Sequence, residues 1–173
     1  MQNKMKHILS VLMVFVMAVS LTACGEEVTL ESRTVNGVTL NVPSDLSAFA
    51  DVEGVQRAED ENSLATITIS PVSDDTQGIT AADYDQDSFQ QAYLGSYTDV
   101  SFDKFDNSYE IDGKSTLYTA VKATNPRNVK VVIHMYMVFS DAGVQIITIF
   151  YSDENDNSVK TNIDNINSSI KIA

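Results

Sequence analysis

Regular alternation of apolar and polar residues dominates the second half of the chain. Between residues 114 and 151 it forms three long segments, which are separated by short runs of turn-forming residues. Alternation of this kind predicts strands, here Lys114–Thr124, Val129–Phe139 and Val144–Tyr151. The last segment is apolar on both faces, which is typical of a central strand covered on both sides. Because the connections are short, we expect an antiparallel meander.

Shorter segments of the same type precede this meander. Asn36-Gly37 lies between two alternating segments, and this dipeptide favours the type I′ turn of a tight hairpin because both residues adopt positive φ readily. We therefore expect strands near Leu30–Val35 and Val38–Val42, the second ended by Pro43. Further short strands are predicted at residues 54–59, 64–70 and 100–105, and residues 109–111 lead into a hairpin turn at Asp112-Gly113.

One segment in the middle of the chain has helical spacing. Phe89, Tyr93 and Tyr97 are four residues apart, which places them on one face of a helix over about residues 87–97. Together with Tyr84, these aromatic residues can either join the core or line a groove for a ligand.

A second helix is predicted near the end of the chain, from about Glu154 to Ser168. Its apolar stripe consists of Val159, Ile163, Ile166 and Ile170. Ser152 or Asp153 is a suitable N-cap, because a short oxygen-bearing side chain can accept a hydrogen bond from a free amide of the first turn. The stripe has to be buried, so we expect this helix to pack on the sheet.

The order of these elements, β-β-β-β-α-β-β-β-β-α, indicates an α+β domain in which an antiparallel sheet packs with two or three helices. The order, the strand Val38–Pro43, the turn Asp112-Gly113-Lys114 and the closing segment Ser168–Ile172 resemble the PsbP-like fold over about residues 34–172. That fold is shared by a photosystem subunit, a Ran-binding nuclear import protein and small bacterial lipoproteins. The matching features are structural, so the resemblance implies a fold and no functional residue.

The beginning of the chain has the pattern of a secretory leader. Lys4 and Lys6 precede an apolar run from Ile8 to Leu21, which is shorter than the roughly 20 residues that span a bilayer. The run ends in Leu21-Thr-Ala-Cys24, which resembles the lipobox of bacterial lipoproteins. The resemblance implies cleavage before Cys24 and its diacylation, hence a lipid anchor on the extracytoplasmic face of the cell membrane. A plain signal peptide and an uncut membrane helix are the alternatives.

These patterns divide the chain into a signal peptide at residues 1–23, a lipidated acidic tether at 24–33 and a single domain at 34–173. The whole chain has a net charge of −13. Two of its 11 basic residues and none of its 24 acidic residues precede Cys24, so the remainder carries nine basic residues and a net charge of −15. Such a charge disfavours binding to nucleic acid. Cys24 is the only cysteine, so no internal disulfide can form.

Few residues are available for catalysis or for a cofactor. After cleavage His134 is the only histidine, and its alternation with Val132 and Tyr136 predicts a partly exposed strand residue. Zinc needs three or four His or Cys ligands, which the mature chain lacks. There is no Gly-x-Ser-x-Gly motif. We therefore expect neither an enzyme nor a bound cofactor.

Two acidic segments have the spacing of calcium ligands. One begins at Asp153 and would end at Asp164, but it overlaps the predicted final helix, so N-cap chemistry explains the same acids. The other, Asp83-x-Asp85-x-Asp87, has Leu94 at the twelfth position. We interpret it as an exposed acidic loop, with weak cation binding as the alternative.

The candidate binding surface is the longest polar segment, residues 72–88, together with the start of the first helix. Long loops on a rigid scaffold often carry binding residues. The residues chosen for this surface are Asp83, Tyr84, Asp85, Asp87 and Tyr93. We expect a binding or accessory module whose partner is another envelope protein; the alternative is a small ligand or cation bound at the 72–88 loop.

Overall fold

A computed structural model describes residues 28–74 and 78–173, which form two antiparallel sheets and two α-helices. The predicted leader and Cys24 lie outside the described residues. The elements in chain order are β1 Leu30–Val35, β2 Val38–Pro43, β3 Ala50–Val52, β4 Val55–Glu59, β5 Ala65–Ile69, a 3₁₀ turn Ala81–Asp83, α1 Gln86–Tyr93, β6 Thr98–Ile111, β7 Lys114–Thr124, β8 Lys130–Ser140, β9 Gly143–Ser152, α2 Ser158–Ser169 and β10 Lys171–Ile172.

The small sheet has the strand order β1-β2-β10 and brings the two ends of the domain together. The predicted hairpin turn is confirmed, since Asn36 and Gly37 have φ values of 49° and 77°. Ile172 of β10 pairs with Val38 of β2. Because β1 already begins at Leu30, the last four residues of the predicted tether are paired as a strand and belong to the domain.

The large sheet has the order β3-β4-β5-β9-β8-β7-β6. The predicted meander of β7, β8 and β9 is confirmed, and β9 lies in the middle of the sheet. Its outer neighbour β5 comes from far earlier in the chain, with Ile67 paired to Ile149. The observed architecture confirms the α+β class expected from the sequence.

Each face of the large sheet carries its own core. The first face is covered by α2 and the small sheet, and its buried residues include Leu40, Val42, Ile67, Ile69, Ile147, Ile149, Val159 and Ile166. The second face is covered by α1 and the segment around it, and its buried residues include Ala81, Phe89, Leu94, Leu117, Val121, Ile133, Met137 and Phe139. The sheet is therefore the middle layer of the domain.

Strand β6 differs from its sequence prediction. The short strand predicted at residues 100–105 and the segment 109–111 before the hairpin turn are parts of one 14-residue strand at the edge of the sheet. Its pairing with β7 has three register irregularities, and each shifts the alternation of faces. A strand of this kind cannot be recognised from alternation alone.

Strands β3 and β10 were not predicted. All three residues of β3 are exposed, so no apolar pattern marks this strand in the sequence. Strand β10 has two residues and depends on the distant β2 for its pairing.

Both helices are shorter than predicted. Helix α1 ends at Tyr93 and Leu94 is its C-cap, so Tyr97 lies beyond the helix in the following turn. Helix α2 begins at Ser158, and its N-cap is Asn157 rather than Ser152 or Asp153. The Asn157 side chain accepts a hydrogen bond of 2.8 Å from the amide of Lys160, which is the capping contact expected of this residue type.

The apolar stripe of α2 is confirmed with one exception. Val159 and Ile166 are fully buried and Ile170 is nearly so, whereas Ile163 is only partly buried. The helix packs on β2, β5 and β9. It therefore lies over the junction of the two sheets rather than over the whole predicted meander. No helix among the described residues is long and apolar enough to cross a membrane.

A glycine fixes the loop that follows β5. Ser73 forms an isolated antiparallel bridge with Val144, with both backbone hydrogen bonds close to 2.9 Å. Gly143 has a φ of 126°, and a Cβ at this position would lie 1.8 Å from the carbonyl oxygen of Ser73. Glycine is thus required for the loop to lie against β9.

We expect Ile166→Ala to destabilise the domain by about 2–5 kcal/mol, the range for emptying a buried Ile site. Asn165→Ala is the matched control, since Asn165 is the exposed neighbour in the same helix and alanine has the higher helix propensity. Denaturant midpoints of the two purified variants test this, with equal midpoints contradicting the docking of α2.

Candidate functional site

Two of the three acidic residues of the predicted surface, Asp83 and Asp85, cap helical turns. Asp83 closes the 3₁₀ turn, where its Oδ2 accepts hydrogen bonds from the amide and hydroxyl of Thr80 at 2.8 and 2.9 Å. Asp85 is the N-cap of α1, and its two oxygens accept from the amide and hydroxyl of Ser88, both at 2.9 Å. The backbone hydrogen bonds, followed by the hydroxyls, lower the pKa of both carboxyl groups.

The two tyrosines of the predicted surface are partly buried and pack on the core of the second face. Tyr84 lies against Phe139, with 5.8 Å between ring centroids, and Tyr93 lies 5.0 Å from Phe89. Burial, followed by the neighbouring Tyr84, raises the pKa of Tyr93 to about 12. Their rings hold α1 on the sheet, and the structure does not bring them together with the acids as one constellation.

Asp87 is the predicted residue that lies at a concave surface. A shallow depression of about 330 Å³ runs along the exposed side of α1, and we call it the α1 surface. It is lined by Asp87, Gln90, Gln91, Leu94, Gly95 and Tyr97. The side chains of the two glutamines form no hydrogen bond within the described residues, so their amides are free to contact another molecule.

A second concavity adjoins the α1 surface, because Tyr97 lines both. It has a volume of about 410 Å³ and lies on the second face between the β4–β5 and β7–β8 turns. We call it the arginine groove; its lining includes Arg57, Ser63, Tyr97, Arg127, Val131 and Phe150. Sequence reasoning missed it because its residues come from four separate segments, and the pairing of β5 with β9 is what brings them together.

His134 is buried, with 8% of its surface exposed, so the prediction of a partly exposed histidine is wrong. Helix α2 covers this part of the first face, and Asn167 approaches the ring to 3.4 Å. The Tyr118 hydroxyl lies 2.9 Å from Nδ1, and the Tyr118 ring stacks on Tyr136 at 4.6 Å. Burial lowers the pKa of His134 to about 4, so the ring is neutral near pH 7.

This arrangement supports a structural role for His134. Burial raises the pKa of Tyr118 and Tyr136, so neither hydroxyl is activated as a nucleophile. The hydrogen-bond partners of the His134 ring within the described residues are Tyr118 and Asn167, and no serine is among them. The neutral imidazole of His134, which is hydrogen-bonded to the neutral phenol of Tyr118, therefore packs as part of the core.

Metal ligands are not clustered in the described part of the chain, where no group of three His, Cys, Asp or Glu side chains could hold an ion. The acidic segment that begins at Asp153 is closed by Lys160 instead. Its ammonium donates to the Asp153 carbonyl at 2.6 Å and lies 3.5 Å from the carboxylate. The first turns of α2 occupy the rest of that segment, so the calcium-loop alternative for it is wrong.

The capping role of Asp85 predicts a specific pattern of variants. Asp85→Ala should lower the melting temperature, whereas Asp85→Asn should leave it nearly unchanged because Asn caps a helix about as well as Asp. Millimolar calcium should stabilise the protein no more than a control salt of equal ionic strength. A calcium-specific rise that Asp85→Asn removes, measured by calorimetry, would establish the cation-binding alternative.

The burial of His134 predicts a pH dependence of stability. Its folded-state pKa is lower than the ordinary value of 6.5, so the unfolded chain binds the proton more readily. The free energy of unfolding should therefore be highest above about pH 6.5 and should fall as the pH drops toward 4. The contribution of this one group is on the order of 3 kcal/mol.

Comparison of the wild-type protein with the His134→Gln variant isolates the contribution of His134 to the pH dependence, since the carboxylates titrate alike in both proteins. The variant should lose less stability between pH 7 and pH 4.5, whatever its stability at pH 7. Denaturant unfolding at the two pH values measures the difference. An NMR titration of His134, the only histidine after residue 7, measures its pKa directly, and a value near 6.5 would refute the burial effect.

Comparison with known proteins shows similarity of fold. No protein-family model and no curated protein matches the chain. The solution structure of cyanobacterial PsbP (CyanoP) from Synechocystis sp. PCC 6803 is 16% identical, with a TM-score of 0.56, and the match covers 88% of this chain and 99% of CyanoP. The Ran-binding protein Mog1p from Saccharomyces cerevisiae is 10% identical, with a TM-score of 0.53 and coverage of 84% and 96%. The chain has a PsbP- and Mog1-like fold.

Proposed function

We propose that this protein is a lipid-anchored binding or accessory module of a bacterial cell envelope, and that it docks another envelope protein through the α1 surface. The observation that carries the proposal is the exposed side of α1. Its polar side chains take no part in holding the fold, while Phe89 on the opposite side of the helix is buried. The helix is therefore fixed on the sheet and presents a preformed surface.

The position of the anchor supports this proposal. The leader and the lipobox-like segment that ends at Cys24 favour export and acylation. The segment from Cys24 to Leu30 is short, since six residues reach at most roughly 21 Å when extended. A protein held so close to the membrane encounters other membrane-bound proteins at high effective concentration. A modest contact area is then sufficient for association.

The chemistry of the described residues supports binding rather than catalysis. The buried His134 is engaged by Tyr118, and Asp83 and Asp85 are engaged as caps. A fold shared with CyanoP and Mog1p gives no enzymatic activity by itself, because function depends on sites rather than on folds. We therefore propose a non-enzymatic role. The Ran-binding function belongs to Mog1p and is not transferred.

The acylation step is tested with Cys24→Ala. The variant should remain as the uncleaved precursor or be released into the medium, because the thiol that receives the lipid is absent. Membrane fractionation and intact mass spectrometry measure both outcomes. A variant that still fractionates with the membrane at the mature mass would refute the lipoprotein assignment.

The docking surface is tested by site-specific photocrosslinking in intact cells. A photoreactive residue at Gln91 on α1 should form one discrete crosslinked product with an envelope protein, and Gln91→Arg should weaken the association in co-purification. The matched control is the same photoreactive residue at Asn165, which is exposed on α2 on the other side of the sheet. If the photoreactive residue forms the crosslinked product at Asn165 and not at Gln91, the interface lies elsewhere and the proposal is overturned.

A further inference from the structure

The arginine groove is lined by basic side chains in a protein that is acidic as a whole. The chain contains three arginines, and two of them, Arg57 and Arg127, line this one concavity. No acidic residue lines it. In a chain of net charge −13, a concentration of arginines with no lining acid is a local feature that general solubility does not explain.

Arg33, the third arginine, has a structural role. Arg33 donates to the carbonyl oxygens of Ser47 and Leu46 at 2.6 and 3.2 Å and pairs with Glu31 at 3.1 Å. Its guanidinium thereby holds β1 on the segment that follows β2. Most of its donors are used within the fold.

The two groove arginines differ in how much of the guanidinium is left free. Arg57 forms an ion pair with Glu59 at 2.5 Å, but its Nε has no hydrogen-bond partner within the described residues although solvent does not reach it. The side chain of Arg127 is exposed and forms neither an ion pair nor a hydrogen bond in that same part of the chain. Because the Arg57 Nε is shielded, the guanidinium that is open to a ligand is that of Arg127. A free guanidinium in a concavity is suited to a carboxylate or phosphate, which it binds in a bidentate manner.

The turns that carry the polar lining are held rigidly. In the β7–β8 turn, the Asn125 side chain accepts hydrogen bonds from the amides of Arg127 and Val129 at 2.9 and 3.0 Å. In the β4–β5 turn, Asp60 accepts in the same way from Leu64 and Ala65 at 2.6 and 3.0 Å. A preorganised site loses less conformational entropy when a ligand binds.

The floor of the groove is apolar. Val131 is buried, and the rings of Phe150 and Tyr97 are partly exposed at its base and rim. The volume of about 410 Å³ lies within the range of pockets that hold small organic molecules. An aromatic or aliphatic group can cover these rings while its charged group meets the arginines.

We propose that the arginine groove binds a small organic anion, a carboxylate or phosphate on an aromatic or apolar body. The free guanidinium of Arg127 selects the charge, and Phe150 and Tyr97 contact the apolar body of the ligand. This site adjoins the α1 surface at Tyr97, but the two proposals are tested at different residues, Arg127 here and Gln91 on α1, so either proposal can fail without the other. A small ligand is favoured over an extended acidic peptide because the concavity has a volume of about 410 Å³ and lies between two turns that are held by hydrogen bonds.

The test uses the full-length protein purified in detergent and isothermal titration calorimetry with phenyl phosphate as the probe. Benzoate carries a carboxylate in place of the phosphate and shows which anion is preferred. Phenol measures the affinity of the aromatic ring without the anionic group, and inorganic phosphate measures the affinity of the anionic group without the ring. We expect saturable binding of phenyl phosphate or benzoate, and binding at least about tenfold weaker for phenol and for inorganic phosphate, as expected when one charge-assisted contact or one stacking contact is lost.

Two variants test whether the measured heat of binding comes from the arginine groove. Arg127→Gln removes an exposed charge that does not support the fold and should weaken binding about tenfold. Lys171→Gln removes the same charge from the exposed side chain in β10 and should leave the affinity unchanged. The proposal is overturned by absence of saturable binding, by equal affinities of the two variants, or by inorganic phosphate binding as tightly as phenyl phosphate, which would indicate an adventitious ion only.

Discussion

The pairing of β5 with β9 is the contact on which the rest of the structure depends. It joins the β3–β4–β5 unit to the β6–β9 meander across about 80 residues of chain, in the register Ile67 to Ile149. Because β9 lies in the middle of the large sheet, its side chains enter both cores. Gln145 strengthens the junction, since its buried amide donates to the carbonyls of Asn36 and Ser70 at 2.9 and 3.0 Å. Long-range pairing of this kind also implies slow folding.

The parts of the fold that the sequence predicts are those whose signals are local. The hairpin at Asn36 and the strands β7 to β9 were predicted correctly, because turn chemistry and alternation act within a few residues. The errors have non-local causes. Register shifts interrupt the alternation of faces in β6, and β10 forms only through pairing with the distant β2. His134 is buried because α2 covers it. None of these causes is visible in a window of the sequence.

The candidate site shows the same limit. Spacing alone does not distinguish an acid that binds a cation from an acid that caps a helix, because both roles need an oxygen at the start of a turn. The structure assigns Asp83 and Asp85 to the second role through Thr80 and Ser88. The arginine groove had no sequence signal at all, since Arg57 and Arg127 are 70 residues apart. Their shared feature is that they line one concavity, which depends on the folded structure and cannot be read from the sequence.

Because each face of the large sheet is covered differently, the sheet also determines how the proposed binding sites lie relative to the membrane. The first face is closed by α2 and the small sheet, which begins at Leu30, six residues after the proposed lipid attachment at Cys24. The α1 surface and the arginine groove lie on the second face, with the sheet between them and the small sheet. Acylation of Cys24 would hold the small sheet within roughly 21 Å of the bilayer. It would leave the second face accessible, because the whole thickness of the sheet separates that face from the anchored end of the domain.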